Sequence, residues 1–326
     1  MGSSATTSPA FAAAFLARSG PNGVVSFADF MDLALYHPQL GYYRQDRSRV
    51  GYAPGTDFYT ASSSGPVFGE MVAAACVALL GGEAQAREHA FVEIGAEAGV
   101  GVLAGVDHPF ASARTVRVGE AQQLAGPCVV FSNELFDAQP LRRFIRRGAT
   151  WRELGVQLHG DKLYEVELAE TSEPWLPTDS SEGYVFDAPQ AAAKLAAAIA
   201  AQPWTGLFVA FDYGKSFTEL ATVTPAGTAR AYFQHTQSNE LLARAGQQDL
   251  TGHVCWDWLQ AALDTAGCNG SRVESQEAFL IHHAGAFLAQ AMAAEATRVS
   301  PRKLALLQLL HPSHLGQKFQ VLYARR

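Results

Sequence analysis

The stretch Val129-Val130-Phe131-Ser132-Asn133-Glu134-Leu135-Phe136-Asp137-Ala138-Gln139-Pro140 decides how this chain is read. The apolar run from Cys128 to Phe131 has the length and β-branched content of a buried strand. It stops at Asn133-Glu134, and Asp137 follows shortly after. Pro140 keeps any helix here short. In an open α/β sheet, ligands sit outside the carboxyl ends of the strands. An amide and two carboxylates therefore stand where such sheets do chemistry. Taken alone, Asn133 and Asp137 also read as ordinary turn and cap residues.

Two more buried strands flank this one in the sequence. Phe91-Val92-Glu93-Ile94-Gly95 reads as the first parallel strand, and Leu207 to Asp212 as a later one. The latter ends in Asp212-Tyr213-Gly214, which places Asp212 on the same rim as Asn133 and Glu134. Ser8-Pro9 opens a helix that ends near Gly20, and Ser26 caps a second, with Asp29 three residues on. Pro66 starts a helix closed by Gly81-Gly82, and Ser300-Pro301 opens the last one. Thr150–Leu158 and Leu163–Leu168 alternate around His159-Gly160-Asp161-Lys162, the pattern of a β-hairpin. Asp187-Ala188-Pro189 is expected to start a helix running to about Gln202.

Composition narrows the class. The chain has 326 residues, 48% hydrophobic, enough for a substantial core. A net charge of −7 disfavours nucleic acid as a partner. The four cysteines form no Cys-x-x-Cys pair and read as reduced, structural thiols. No apolar run is long enough to span a bilayer, and Phe11 to Ala17 lacks the basic flank of a signal peptide. The expectation is a cytoplasmic protein with no membrane partner. His282-His283, and His311 with His314, lack company at metal-ligand spacing, so no metal is expected. Arg142, Arg143, Arg146 and Arg147 form a basic run that either meets an acidic partner or faces solvent.

Asn133-Glu-Leu-Phe-Asp-Ala-Gln-Pro140 resembles the signature of the MidA family, class I S-adenosylmethionine-dependent methyltransferase-like proteins. That family includes the mitochondrial complex I assembly factor that methylates a protein arginine. Val25 to Tyr43, Asp57-Phe58-Tyr59-Thr60, Pro66-Val-Phe-Gly-Glu70, Asp212-Tyr-Gly214, Gly227 to Tyr232, Gln247 to Val254 and Leu315 to Tyr323 resemble further blocks in the right order. The resemblance implies an α/β fold of the class I methyltransferase kind. It would have a mostly parallel sheet with helices on both faces, an N-terminal helical cap (1–54) and a methyltransferase-like domain (55–326) with a hairpin insertion at about 145–186. It also implies S-adenosylmethionine as cofactor, and a protein substrate or assembly partner. Asp57, Phe58, Thr60, Glu93, Gly95, Gly99 and Asn133 would bind the cofactor. Glu134 and Asp137 would orient a substrate guanidinium.

The chain departs from the family in three places. Ala61-Ser62-Ser63 replaces the block after Thr60 and removes its acid. The glycine-rich turn, Glu93-Ile-Gly-Ala-Glu97-Ala-Gly-Val-Gly101, carries Glu97 where the middle glycine belongs. The span from Gly95 to Cys128 is short for two crossovers, so one strand–helix unit is expected to be missing. It holds a short helical stretch (Val100 to Val106) and one strand (Thr115 to Val118). No residue matches the acid that grips the cofactor ribose at the end of the second strand. Glu120, the nearest acid, reads equally as a solvated loop charge. Two functions remain open: protein arginine methylation, or a pseudo-methyltransferase that binds or assembles a partner.

Overall fold

The computed structural model describes residues 6–20, 22–45, 49, 56–57, 65–96, 101–297 and 300–326. Phe58, Thr60, Glu97 and Gly99 lie outside the described residues. Ser8 Oγ accepts from Phe11 N and opens α1 (Pro9–Arg18), whose first-turn proline sits where no N–H is needed. Strand β1 (Val24–Ser26) leads into α2 (Phe27–Tyr36), capped by Ser26 Oγ accepting from Asp29 N at 3.0 Å. Helix α3 (Pro66–Leu80) ends on Gly81 at φ 100°, and a single turn, α4 (Glu83–Ala86), follows. Then come β2 (Ala90–Ile94), β3 (Ser112–Val116) and β4 (Gly126–Asn133). Four strands interrupt the α/β alternation: β5 (Arg142–Arg147), β6 (Thr150–His159), β7 (Lys162–Thr171) and β8 (Val185–Ala188). The chain continues through α5 (Gln190–Ala200), β9 (Trp204–Asp212), β10 (Gly214–Lys215) and α6 (Phe217–Thr222). Short strands β11 (Arg230–Phe233), β12 (Thr236–Ser238), β13 (Asp249–Thr251) and β14 (Val254–Cys255) come next. Helix α7 (Trp256–Thr265), β15 (Asn269–Ser275), α8 (Gln276–Ala294), α9 (Pro301–Leu310) and β16 (Gln320–Arg325) close it.

The central sheet is mixed, in the order β15-β16-β9-β4-β2-β3. Strands β3, β2, β4 and β9 run parallel, and β16 is antiparallel to β9 and to β15. Alternate residues on each strand point to opposite faces. Phe91, Val129, Phe131, Leu207, Val209 and Phe211 pack with the helices α3, α8 and α9. Val92, Ile94, Val130, Phe208 and Ala210 pack with α5 and α7. Burial on both faces explains why these strands read as continuous apolar runs.

A second sheet lies apart from the first. It runs β1-β6-β5-β8, with β7 also paired to β6, and all its pairings are antiparallel. Phe11, Phe15, Phe30 and Leu35 of α1 and α2 share a core with Val156 and Leu163 of this sheet. The described N-terminal segment thus packs on the insertion, with its strand β1 as the edge of the insertion's sheet. The strands of the insertion run from Arg142 to Ala188.

The basic run at 142–147 is strand β5, and its arginines are consumed internally. Arg142 pairs with Glu153 at 2.7 Å and Glu173 at 3.2 Å, Arg143 with Asp187 at 3.2 Å, and Arg147 with Glu167. Arg143 is buried with its pair, whereas Arg147 stays partly exposed to solvent as expected of a solvated face. Ala188 ends a strand, and the helix starts at Gln190. The described part of the Val100–Val106 stretch is turns, not helix. The expected strand at Thr115–Val118 runs Ser112–Val116. Among the described residues it is the single strand between β2 and β4, which agrees with the missing unit.

Candidate functional site at the carboxyl ends of the parallel strands

Strand β4 ends in a tight reversal. Glu134 has φ 53°, unusual for a residue with a Cβ, and its N–H donates to Phe211 O at 2.9 Å. The chain after it wraps the carboxylate of Asp212, at the end of the neighbouring β9. Asp212 Oδ2 accepts from Phe136 N at 2.8 Å, and Oδ1 from Tyr213 N at 2.9 Å. Asp212 is thus the post around which the Asn133–Pro140 loop is wound. Burial still dominates, and its carboxyl is pushed up to about 7.

Asp137 stands within that loop, 4% exposed, and its Oδ1 has no hydrogen-bond partner among the described residues. Burial raises its pKa well above its ordinary value, and the charges of Asp212, Glu134 and Asp249 push the same way. Tyrosines pack around these acids. Tyr36 Oη donates to Ala138 O at 2.9 Å, and Tyr43 Oη to Asp249 Oδ1 at 2.8 Å. Their rings stack at 5.6 Å. Tyr232 is the cross-strand neighbour of Asp249, and burial plus Glu134 and Asp137 hold the Tyr213 phenol far above its usual range.

A pocket of about 290 Å³ opens beside this patch. Its floor is Gly95 and Ala96 after β2, Arg117 and Val118 after β3, and Glu134, Leu135 and Ala138 after β4. Its outer wall comes from the N-terminal segment: Tyr36, Pro38, Tyr43, Arg44, Gln45 and Arg49. Half of that wall, Tyr36, Pro38 and Tyr43, falls in the Val25–Tyr43 block, whose sequence carries no motif that marks a site role.

The expected site residues divide. Gly95 and Glu134 line the pocket, whereas Asp137, expected beside Glu134, is buried outside the lining. Gly95, at φ 84°, admits a close approach, but by Leu135: a Cβ there would come within 2.8 Å of Leu135 Cδ1. Asn133 Nδ2 donates to Glu134 Oε1 at 3.0 Å and so steadies the pocket carboxylate. Glu93 Oε2 accepts from Val102 N at 2.7 Å, fastening the loop that leaves β2. Burial pushes the Glu93 carboxyl up to about 7. Asp57 is fully buried outside the lining, accepting from Tyr42 Oη at 2.7 Å and Gln234 N at 2.9 Å. Glu120 Oε2 accepts from Arg117 N at 2.8 Å and caps its own turn.

A protein-family model described as "Putative S-adenosyl-L-methionine-dependent methyltransferase" matches residues 110–273, half of the chain. The chain belongs to this family. It is a MidA-family protein, as the Asn133–Pro140 signature implies. Its fold is that of two crystal structures of a COG1565 superfamily protein from Burkholderia thailandensis. One, bound to S-adenosyl-homocysteine, has a TM-score of 0.84 at 23% identity and covers 97% of this chain and 92% of its own. The other, the native form, has a TM-score of 0.80 at 22% identity, covering 97% and 91%. No curated protein matches the chain. Among the described residues of this MidA-family chain, no group of histidines, cysteines and acids suits a metal ion. No described helix is long and apolar enough to cross a membrane.

Proposed function

We propose that this chain transfers a methyl group from S-adenosylmethionine to an arginine side chain of a protein partner. The reading is supported by the family, by the pocket at the strand ends, and by the Burkholderia protein of the same fold that was crystallised with S-adenosyl-homocysteine. The residues present suit such a cofactor in position and size. The 290 Å³ pocket falls just under the ~300–1,000 Å³ usual for small-molecule sites. Gly95 and Ala96, Glu134 with Asn133 behind it, Leu135 and the Tyr36–Tyr43 wall would hold the cofactor. When bound, it supplies an electrophilic methyl group on a sulfonium.

One observation supports the substrate class: next to the lining residue Ala138, the buried Asp137 Oδ1 has no hydrogen-bond partner among the described residues and stands in a patch of mutually repelling carboxyls. A donor would satisfy such an acceptor, and a cation would relieve the repulsion that the patch otherwise meets by holding protons. A guanidinium brings several N–H donors in one plane and keeps its charge at any working pH. Asp137 and Glu134 would orient it and draw positive charge toward the nitrogens they face, leaving another nitrogen better able to attack. Docking favours ionisation of Asp137 and Asp212, and a carboxyl raised toward neutrality accepts the proton that methylation releases. Proximity and orientation supply most of the acceleration.

A second reading, a pseudo-methyltransferase that assembles or binds a partner, is favoured by Arg117. It lines the pocket at the end of β3, where the ribose-gripping acid would stand. Calorimetry separates the two. Micromolar or tighter binding of S-adenosylmethionine is expected; no heat at millimolar ligand overturns the enzyme reading. With S-adenosyl-homocysteine present, N-acetyl-arginine amide should bind wild type and fail to bind Asp137→Asn. Equal binding to both rejects the proposed site.

A further inference from the structure

In nucleotide-binding α/β folds the end of the second strand reads the ribose: an acid there grips the hydroxyls, and a nearby arginine accommodates a ribose phosphate. Here the lining residue that follows β3 is Arg117. Arg117 has no ion pair among the described residues, and the one acid close by in sequence, Glu120, is bound to the Arg117 backbone N–H. Arg44 reaches the same strand end from across the pocket, its Nη1 donating to Val118 O at 2.7 Å. Gly119, at φ 86°, leaves the room for it, because a Cβ there would collide with the Arg44 guanidinium. Arg49 also lines the pocket, its guanidinium donating to Tyr42 O and Gln45 O. The described lining thus holds three arginines and one carboxylate, Glu134, on a chain whose net charge is −7. That local reversal of sign concentrates anions at this strand end.

We infer that the rim formed by Arg117 and Arg44 at the carboxyl end of β3 is an anion subsite that takes a phosphate carried on the ribose of a bound nucleoside. Arg117 provides the open guanidinium fork, which matches phosphate in a bidentate way. Arg44, held by Val118 O, places a second charge at the same edge without moving. A ribose bearing free hydroxyls neutralises neither guanidinium there, whereas a phosphate satisfies both arginines. The inference rests on reading this pocket as the nucleoside site of the proposed methyltransferase, and it concerns a part of that site that the methyl transfer itself does not use.

Calorimetry on the full chain tests it, with adenosine, adenosine 5′-phosphate, adenosine 2′-phosphate, adenosine 3′-phosphate and S-adenosyl-homocysteine as separate titrants. The 2′- or the 3′-phosphate should bind at least about tenfold tighter than adenosine and than the 5′-phosphate, and the gain should shrink as salt rises. The two ribose phosphates compared show which hydroxyl position faces the rim. In Arg117→Gln the gain should vanish with the melting temperature unchanged, since Arg117 is exposed. In Arg117→Glu the preference should invert, with S-adenosyl-homocysteine tighter than in wild type. If adenosine binds as tightly as both ribose phosphates, or if Arg117→Gln keeps the gain, the subsite is rejected while the cofactor reading stands. If the ribose phosphates bind and S-adenosyl-homocysteine does not, the subsite stands and the methyltransferase reading falls. If nothing binds, both fall.

Discussion

Glu134 pairs backbone strain with site chemistry at a single residue. Its φ of 53° turns the chain out of β4, and the residue lines the pocket. Left-handed backbone costs roughly 1–2 kcal/mol in a residue with a Cβ. Removing the side chain should therefore reverse the usual ranking: Glu134→Gly should be more stable than Glu134→Ala by about 1 kcal/mol. Urea unfolding of the two variants checks this, and equal midpoints would remove the claim of strain. Glu134→Gln keeps the shape and loses the charge. It should lower methyl transfer by about two orders of magnitude while leaving the melting temperature within a few degrees. Asp57 illustrates the limit of motif matching at this scale. It was a cofactor candidate by resemblance, yet its two oxygens are engaged by Tyr42 and Gln234, partners no local pattern could foretell.

At the scale of elements, Asp187 ties three segments together. It sits fully buried on β8, pairs with Arg143 on β5, and accepts from Thr228 N at 2.5 Å and Ala229 N at 2.8 Å. Asp187→Ala leaves Arg143 buried without its closest partner and two N–H groups unsatisfied. The expected cost is ~3–5 kcal/mol, measured as a drop in the denaturant midpoint at constant m-value. The other seam is β1 against β6. A Cβ at Gly155 would meet Val25 O at 2.5 Å, so Gly155→Val should release the N-terminal strand. Limited proteolysis near residue 23 should then become faster, with the pocket wall lost along with it. Strands β4 and β9 were legible because burial on both faces writes a continuous apolar run. Strand β5 was not, because its arginines mimic a solvated surface until Glu153, Glu173, Asp187 and Glu167 arrive from other segments to neutralise them.

For the whole molecule, buried acids make stability fall toward neutral pH. Glu93 and Asp212 stand near 7 when folded, against ordinary values of 4.5 and 3.8, and Asp137 is raised as well. Between about pH 4 and pH 7 the folded chain therefore holds protons that the unfolded chain has released. Raising pH across that window favours unfolding, by on the order of 3 kcal/mol each for Glu93 and Asp212, with Asp137 acting in the same direction. The melting temperature should be higher at pH 5 than at pH 8. Asp212→Asn should flatten that slope, at the cost of one acceptor for the Asn133–Pro140 loop. A melting temperature that rises from pH 5 to pH 8 would contradict the assignment. The paired surface acids Glu167 and Glu182 act in the opposite sense, but only below about pH 4.5, and they are solvent-screened.

By itself the sequence determined what depends on neighbours along the chain. The buried strands, the Ser8, Ser26 and Ser300 caps, the hairpin at Gly160 and the loss of one crossover unit all follow from periodicity, turn chemistry and length. The family signature at 133–140 is equally local. Only the tertiary structure decided which groups share the pocket. Tyr36 bonds to Ala138 across 102 positions, and Arg44 to Val118 across 74. It also turned Asp212 from a rim residue into the post of the loop, and put Arg117 where an acid was sought. Burial and charge are properties of an environment, and that environment exists only once segments distant in the chain have packed together.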